Sequence, residues 1–379
     1  MESFDHKIGL VLPGGGARGA YQVGVLKAIS DIQNRIEKSP FDVISGTSAG
    51  AINASMICAE IGNFHQSIFK LENVWKGFTT NQIYRTEKLF MLKQSIHWLL
   101  TLITGGVLAK NPRSLLDNQP LRELLKEKIN FQTLNNNIYS GALDALIVTA
   151  ASYEEKESVS FFTTSRKVEN WEKVGRSGKK SEINVEHLMA SVALPIIFPA
   201  ITIDGKYYGD GAMRQETPLS PTIRLGASNL LIISTESSKD QDRDHSDKIY
   251  PDFSEIGGYI LDGLFSGSLY SDLERLDRIN QVIALNEDQK VQTETKEMKQ
   301  IDYLVISPSV DVSEIAMNCY KDIPLSLRML FKGIGIEKNT NSELLSFLLF
   351  ESSFTKSLID LGFHDAMEKK QEIKNFLRI

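Results

Sequence analysis

Two short apolar runs, each stopping at glycine and each followed by a helical repeat, open the chain. Lys7–Leu12 is a buried-strand pattern that ends at Pro13 and a glycine cluster, and Ala20–Ile32 then sets Val25, Ala28, Ile29 and Ile32 at helical spacing. Phe41–Ser45 repeats the strand pattern, runs into Gly46, and gives way to a helical segment, Ala49–Ile61. Strand, glycine turn and helix twice in succession is the pattern of βα units that feed a mostly parallel sheet. Residues 64–138 read as mainly helical, punctuated by Pro112 and Pro120. Strand-like runs return at Ala142–Ala151, Val159–Phe162, Ala200–Ile203, Asn229–Ser234 and Tyr303–Ile306. Asp204-Gly205 between Ile203 and Lys206 predicts a hairpin into Lys206–Tyr208. From Asn341 onward the pattern is helical again, with Leu344, Leu345, Leu348 and Leu349 on one face.

The expected fold is therefore α/β, three layers deep (α/β/α) around a mostly parallel central sheet, with extra C-terminal helices. Residues 5–235 are expected to form the main domain and 236–379 a helical extension packed on it. The charged stretches Glu236–Asp247 and Asn286–Gln300 read as surface loops.

Composition changes this picture little. At 42% hydrophobic and 24% charged residues in 379, the chain can bury a large core. A net charge of -6 argues against a general nucleic-acid surface, so any anionic partner must meet a local basic patch. The stretch Arg166–Lys180, with Arg166, Lys167, Lys173, Arg176, Lys179 and Lys180, is one such patch, read first as a solvated loop and second as a contact for phospholipid head groups. Cys58 and Cys319 lie far apart and read as buried apolar residues. The N-terminus lacks a signal-peptide pattern and Ile96–Leu108 is too short to span a bilayer, so a cytoplasmic enzyme, peripheral at membranes, is the expectation; export by a signal-independent route stays open.

Three segments carry candidate chemistry. Gly46-Thr47-Ser48-Ala49-Gly50 is a G-x-S-x-G pentapeptide between strand and helix, where a serine stands on a sharp turn with its oxygen exposed and glycines let strand and helix close around it. Gly14-Gly15-Gly16-Ala17-Arg18-Gly19 sits in the same context. It also satisfies G-x-G-x-x-G, but a dinucleotide site needs an acid closing the second strand, and here that strand ends in the serine elbow. The better reading is an oxyanion hole, in which the Gly14, Gly15 and Gly16 amides, with that of Ala49, point at a developing negative charge. Arg18 reads as a brace for this loop or as a phosphate contact. The third segment is Asp210-Gly211-Ala212, which alone would be only a turn.

In this order, G-G-G-x-R-G, G-x-S-x-G and D-G-A resemble the patatin-like phospholipase family, of bacterial type, as do Ala190–Pro195 with Phe198-Pro199 ahead of the aspartate and Thr217–Pro221 after it. The resemblance covers about residues 7–235. It implies a Ser48–Asp210 dyad in place of a Ser–His–Asp triad, with Gly46, Gly50, Gly211 and Arg18 in support, no metal or other cofactor, and a phospholipid or other lipid ester as substrate. None of the six histidines lies in a recognisable catalytic context, although His187 stands near the turn to Pro195. Leu89–Leu108 suggests either a packing helix or an acyl-chain channel and lid. The alternatives are an acyltransferase on the same site and a non-catalytic lipid-binding member of the fold; an activating protein partner is left open.

Overall fold

The computed structural model describes residues 6–85, 87, 97, 101, 104, 114–237, 253–265, 267–287, 299–333 and 343–379. Ten strands form one sheet: β1 (Ile8–Leu12), β2 (Val43–Thr47), β3 (Ala145–Ser152), β4 (Ser158–Thr164), β5 (Trp171–Lys173), β6 (Arg176–Lys180), β7 (Ile201–Ile203), β8 (Lys206–Asp210), β9 (Asn229–Ile233) and β10 (Asp302–Ile306). The order is β10-β9-β1-β2-β3-β4-β6-β5, and its first five strands run parallel. Of these, β9, β1, β2 and β3 are buried on both faces, which is why β1 and β3 read as mainly apolar runs rather than alternating ones.

Helices cover both faces. One core gathers Leu10, Leu12 and Ile44 under α1 (Gly19–Ile32), α2 (Ala49–Ala59), α3 (Phe64–Lys76) and the C-terminal helix Ser352–Glu368. The other gathers Val11, Val43 and Ile232 under Leu219, Leu225, Leu269 and Leu273. The mostly parallel, three-layered arrangement with added C-terminal helices is the fold expected from the sequence. Close crossing of α1 with Ser352–Glu368 depends on two glycines: a Cβ on Gly24 would strike Ile359 backbone, and one on Gly362 the backbone of Tyr21. The Tyr21 hydroxyl donates to Asp365 across the same crossing at 3.0 Å.

Two features differ from the sequence reading. Arg166–Lys180 is not a solvated loop throughout: it contains β5 and β6, which form the sheet edge as an antiparallel pair. Their alternation is masked because an edge strand carries charged residues that discourage further pairing, and the anchor is one aromatic, Trp171, stacked on Phe162 at 4.8 Å. The region after 236 is mainly helical but also returns β10 to the opposite edge, parallel to β9. The C-terminal helical run is broken into Glu343–Leu348, Ser352–Glu368 and Lys370–Leu377. Apart from His97, Thr101 and Thr104, Leu89–Leu108 lies outside the described residues, as do 238–247 and 288–298 of the two charged loops. Among the described residues no helix is long and apolar enough to cross a membrane.

Candidate active site

The register of β3 brings the site together. Its first five residues pair with β2, the last pair being Thr47 with Thr149. β3 then outruns β2, and its exposed edge is taken by β8 running the other way, so that Ala150 pairs with Asp210. Ser48, the residue after Thr47, thus emerges beside Asp210. The β7–β8 hairpin makes this possible: Asp204 and Gly205, at φ 49° and 79°, form the tight turn that the Asp-Gly pair predicted.

Ser48 takes φ 54°, ψ -125°, a strained conformation for a residue with a Cβ, at the start of α2. Gly46 and Gly50 leave room for it, since a Cβ on Gly46 would strike the backbone of Gly50 and Ala51, and one on Gly50 the carbonyls of Leu12 and Pro13. The Ser48 N–H donates to Ser191 Oγ at 2.8 Å, and Ser191 donates in turn to the Thr149 carbonyl at 2.6 Å, so this buried hydroxyl clamps the elbow to β3. Below it Thr47 donates to Gln215 at 2.7 Å, and Gln215 to Thr149 at 3.3 Å.

Asp210 is fully buried. One carboxylate oxygen, Oδ1, accepts the Ala212 N–H at 3.0 Å, while Oδ2 has no partner in hydrogen-bond geometry among the described residues. Burial pushes its pKa from 3.8 up to about 7, against the opposing pull of the nearby Ser48 hydroxyl and the Ala212 N–H. Gly211 fits tightly against the Thr149 carbonyl and the Thr47 methyl, which a side chain would not allow.

The glycine loop lies on the other side of Ser48. A Cβ on Gly14 would stand 3.1 Å from Ser48 Cβ and collide with Phe265. Gly16 has φ 55°, and a Cβ there would strike the Phe347 carbonyl. The N–H groups of Gly14, Gly15, Gly16 and Ala49 donate to no other described residue. A buried chain of amides supports the loop: Trp75 donates to Asn53 at 2.7 Å, Asn53 to Gln22 at 2.9 Å, and Gln22 to the Pro13 carbonyl at 2.9 Å. Arg18 is buried, donates to Ser346 at 2.8 Å and lies 3.9 Å over the Phe347 ring. That is the position of a brace between the loop and the C-terminal segment.

Ser48 is only 3% exposed and opens into a narrow cavity of about 40 Å³. Its walls are apolar, with Ile52, Trp75, Phe78, Val192, Leu194, Phe198, Phe347, Leu348 and Phe350 among the lining residues. None of the five described histidines lines it; His245 lies outside the described residues. His187 is buried elsewhere, its pKa lowered to about 4 by burial, and its ring accepts the Asn184 N–H as part of a helix cap. Ser191, Gln215 and the Phe347–Phe350 wall went unmarked as site residues in the sequence reading. Only Ser191 had a signal there, as part of the Ala190–Pro195 stretch.

The chain is similar to several known proteins. The sequence profile of the patatin-like phospholipase family matches residues 10–223. The chain is 27% identical over 235 residues to the uncharacterized protein YjjU of Escherichia coli, covering 62% of this chain and 53% of YjjU. It is 46% identical over 55 residues to the neuropathy target esterase sws of Drosophila persimilis, covering 14% of this chain and 4% of the esterase. The chain therefore spans about half of one of these relatives and a small part of the other. Among solved structures, VipD from Legionella pneumophila aligns over 97% of this chain and 67% of its own at 12% identity, with a TM-score of 0.39. With more than half of its length matched by the profile, the chain belongs to the patatin-like phospholipase family.

Proposed function

We propose that this member of the family hydrolyses phospholipids or other lipid esters through Ser48 as nucleophile and Asp210 as its general base. Family membership supports lipid hydrolase activity. The observation that carries the dyad is a buried carboxyl beside a strained serine, with one oxygen unpartnered and a pKa raised to about 7.

An aspartate in water is a poor base toward a hydroxyl; one with a pKa near the working pH is far better matched. Asp210 Oδ2 takes the Ser48 proton as Oγ attacks the ester carbonyl. The developing oxyanion is met by the Gly14–Gly16 and Ala49 N–H groups, each such donor being worth about 3 kcal/mol. The Ser48 N–H takes no part, because Ser191 holds it. The protonated Asp210 then gives its proton to the leaving alcohol. Water then attacks the acyl-enzyme carbonyl, losing a proton to Asp210, and Asp210 returns that proton to Ser48 Oγ as the bond to the fatty acid breaks. No step calls for a metal or an organic cofactor. The apolar cavity takes the acyl chain, and because Ser48 is nearly closed off, the Phe347–Phe350 wall must swing outward for a chain to enter. Residues 5–235 would supply the dyad and the oxyanion donors, and 236–379 the closing wall of the same domain, with a membrane surface presenting the substrate.

The test is fatty-acid release from mixed phospholipid vesicles by wild type, Ser48→Ala and Asp210→Asn, alongside fluorophosphonate labelling. Release and labelling by the wild type, with neither in Ser48→Ala, support the proposal. Labelling without release, in the presence of an added alcohol that becomes acylated, would indicate a transferase. A wild type that does neither would make this a non-catalytic lipid-binding member of the fold.

A further inference from the structure

Only part of the basic stretch Arg166–Lys180 is neutralised in the fold. Arg166 pairs with Asp144, Lys179 pairs with Glu155 at 3.0 Å, and Lys180 donates to the Arg166 carbonyl. Arg176, at the start of β6, faces a concave pocket of about 350 Å³ shared with Arg224, at the end of the helix Ser220–Arg224, and Arg275, on the helix Gly267–Glu287. Neither Arg176 nor Arg224 makes an ion pair with a described residue. The one carboxylate in the lining is Asp272. It is buried, and its Oδ2 accepts the Leu219 N–H at 3.1 Å, while Oδ1 stands 3.7 Å from Arg275. The lining thus sets three guanidinium groups against one carboxylate that is already fixed in the wall, and of the three Arg224 also lies 5.0 Å over the Trp171 ring. The hydroxyl-bearing residues Thr217 and Ser220 line the same space, and Leu219 and Leu276 form an apolar part of it.

We infer that this pocket binds a phosphoryl anion. Guanidinium forks match phosphate oxygens in pairs, which a compact ammonium does not do. The volume is that of a small-ligand site, more than a bare ion needs, so a phosphomonoester with an attached glycerol or similar moiety fits its mixed lining. The chain as a whole carries a net charge of -6, so such a ligand is drawn to this local cluster and not to the surface at large. The site is separate from the cavity at Ser48, which shares none of its residues. It joins the same stretch of chain as Asp210, since Gln215, Thr217 and Leu219 follow within a few residues.

The experiment measures binding in the Ser48→Ala background, where no lipid is consumed. Inorganic phosphate and glycerol 3-phosphate are titrated by calorimetry, and phosphatidylcholine vesicles with and without phosphatidic acid are sedimented with the protein. Binding of a free probe would indicate a soluble phosphoryl ligand; binding only to phosphatidic-acid vesicles would indicate a lipid headgroup. In either case Arg176→Gln/Arg275→Gln should weaken binding about tenfold or more, and Lys173→Gln, an exposed cation outside the pocket, should not. Binding to none of the probes overturns the inference. So does a double variant that binds as the parent does, or a Lys173→Gln variant that loses as much as the double variant. Because hydrolysis is not measured, such a failure leaves the Ser48–Asp210 proposal standing.

Discussion

Gly46 and Gly50 are walled by backbone from the first 51 residues, whereas Gly14, Gly15 and Gly16 are walled mainly by residues more than 200 positions later. The elbow glycines face Gly50, Ala51, Leu12 and Pro13. The loop glycines face Thr235, Phe265 and Phe347, and the loop's own polar contacts run from Gly14 to Thr235 and from Arg18 to Ser346, across 221 and 328 residues. Both turns join a parallel strand to a helix, and both use glycine for room. Later residues reach the elbow too, through Ser191 and Gln215, but only in the loop do they limit the room that the glycines leave. The strain is also placed differently: the elbow puts its positive φ on Ser48, a residue with a side chain, and the loop puts it on Gly16, where it costs little.

The largest expected effect tests the elbow. Gly46→Ala forces a Cβ onto backbone that cannot move without breaking the β2–α2 junction, and should cost about 4 kcal/mol or more in urea unfolding. Next comes the carboxyl beside the elbow. The folded pKa of Asp210 is raised from 3.8 to about 7, so the folded state holds the proton more tightly. The stability this group contributes is full below about pH 4, declines as pH rises to about 7, and is flat above. Asp210→Asn removes that dependence, so its stability relative to wild type should climb between pH 4 and 7 by at most about 4 kcal/mol, read from melts across that range. In the wild type, fluorophosphonate labelling should run the opposite way and rise with pH through about 7, as the carboxylate forms.

Gly16→Ala should be milder in stability, about 1–3 kcal/mol, because its obstacle belongs to a segment that can shift outward. Labelling of Ser48 should nevertheless fall at least about tenfold, the loss expected when one oxyanion donor is displaced. Adding Phe347→Ala should not restore it, because the collision is with the Phe347 backbone oxygen. Arg18→Lys is the smallest change: an ammonium keeps the charge but loses the flat stack on Phe347, for about 1 kcal/mol by thermal melting. If Gly16→Ala proved as destabilising as Gly46→Ala, the contrast between a locally held elbow and a remotely held loop would fail.

The same contrast governs what was legible in the sequence. Strands β1, β2, β3 and β9, the β7–β8 hairpin and the two glycine turns have local signatures: buried runs, an Asp-Gly turn, and glycines between strand and helix. Ser48 and the glycine loop were readable on that basis. Asp210 needed the family resemblance as well, because an Asp-Gly pair alone is a turn. The rest of the site arises from contacts with no local pattern. Ser191 reaches the Ser48 N–H across 143 residues, and Thr47 meets Gln215 across 168. The edge pair β5–β6 was hidden because its charged residues resemble a solvated loop and its single anchor, Trp171, gives no period. The Phe347–Phe350 wall read only as one apolar helical face, with nothing to say which surface it would cover.

The late arrival of that wall has a consequence for synthesis. A ribosome that has made residue 235 has already produced the serine, the aspartate and the triple glycine, yet the surfaces that press the glycine loop into shape, Phe265 and Phe347, have still to emerge. The growing chain is thus expected to carry its reactive groups for some time without the enclosure that lets them act together.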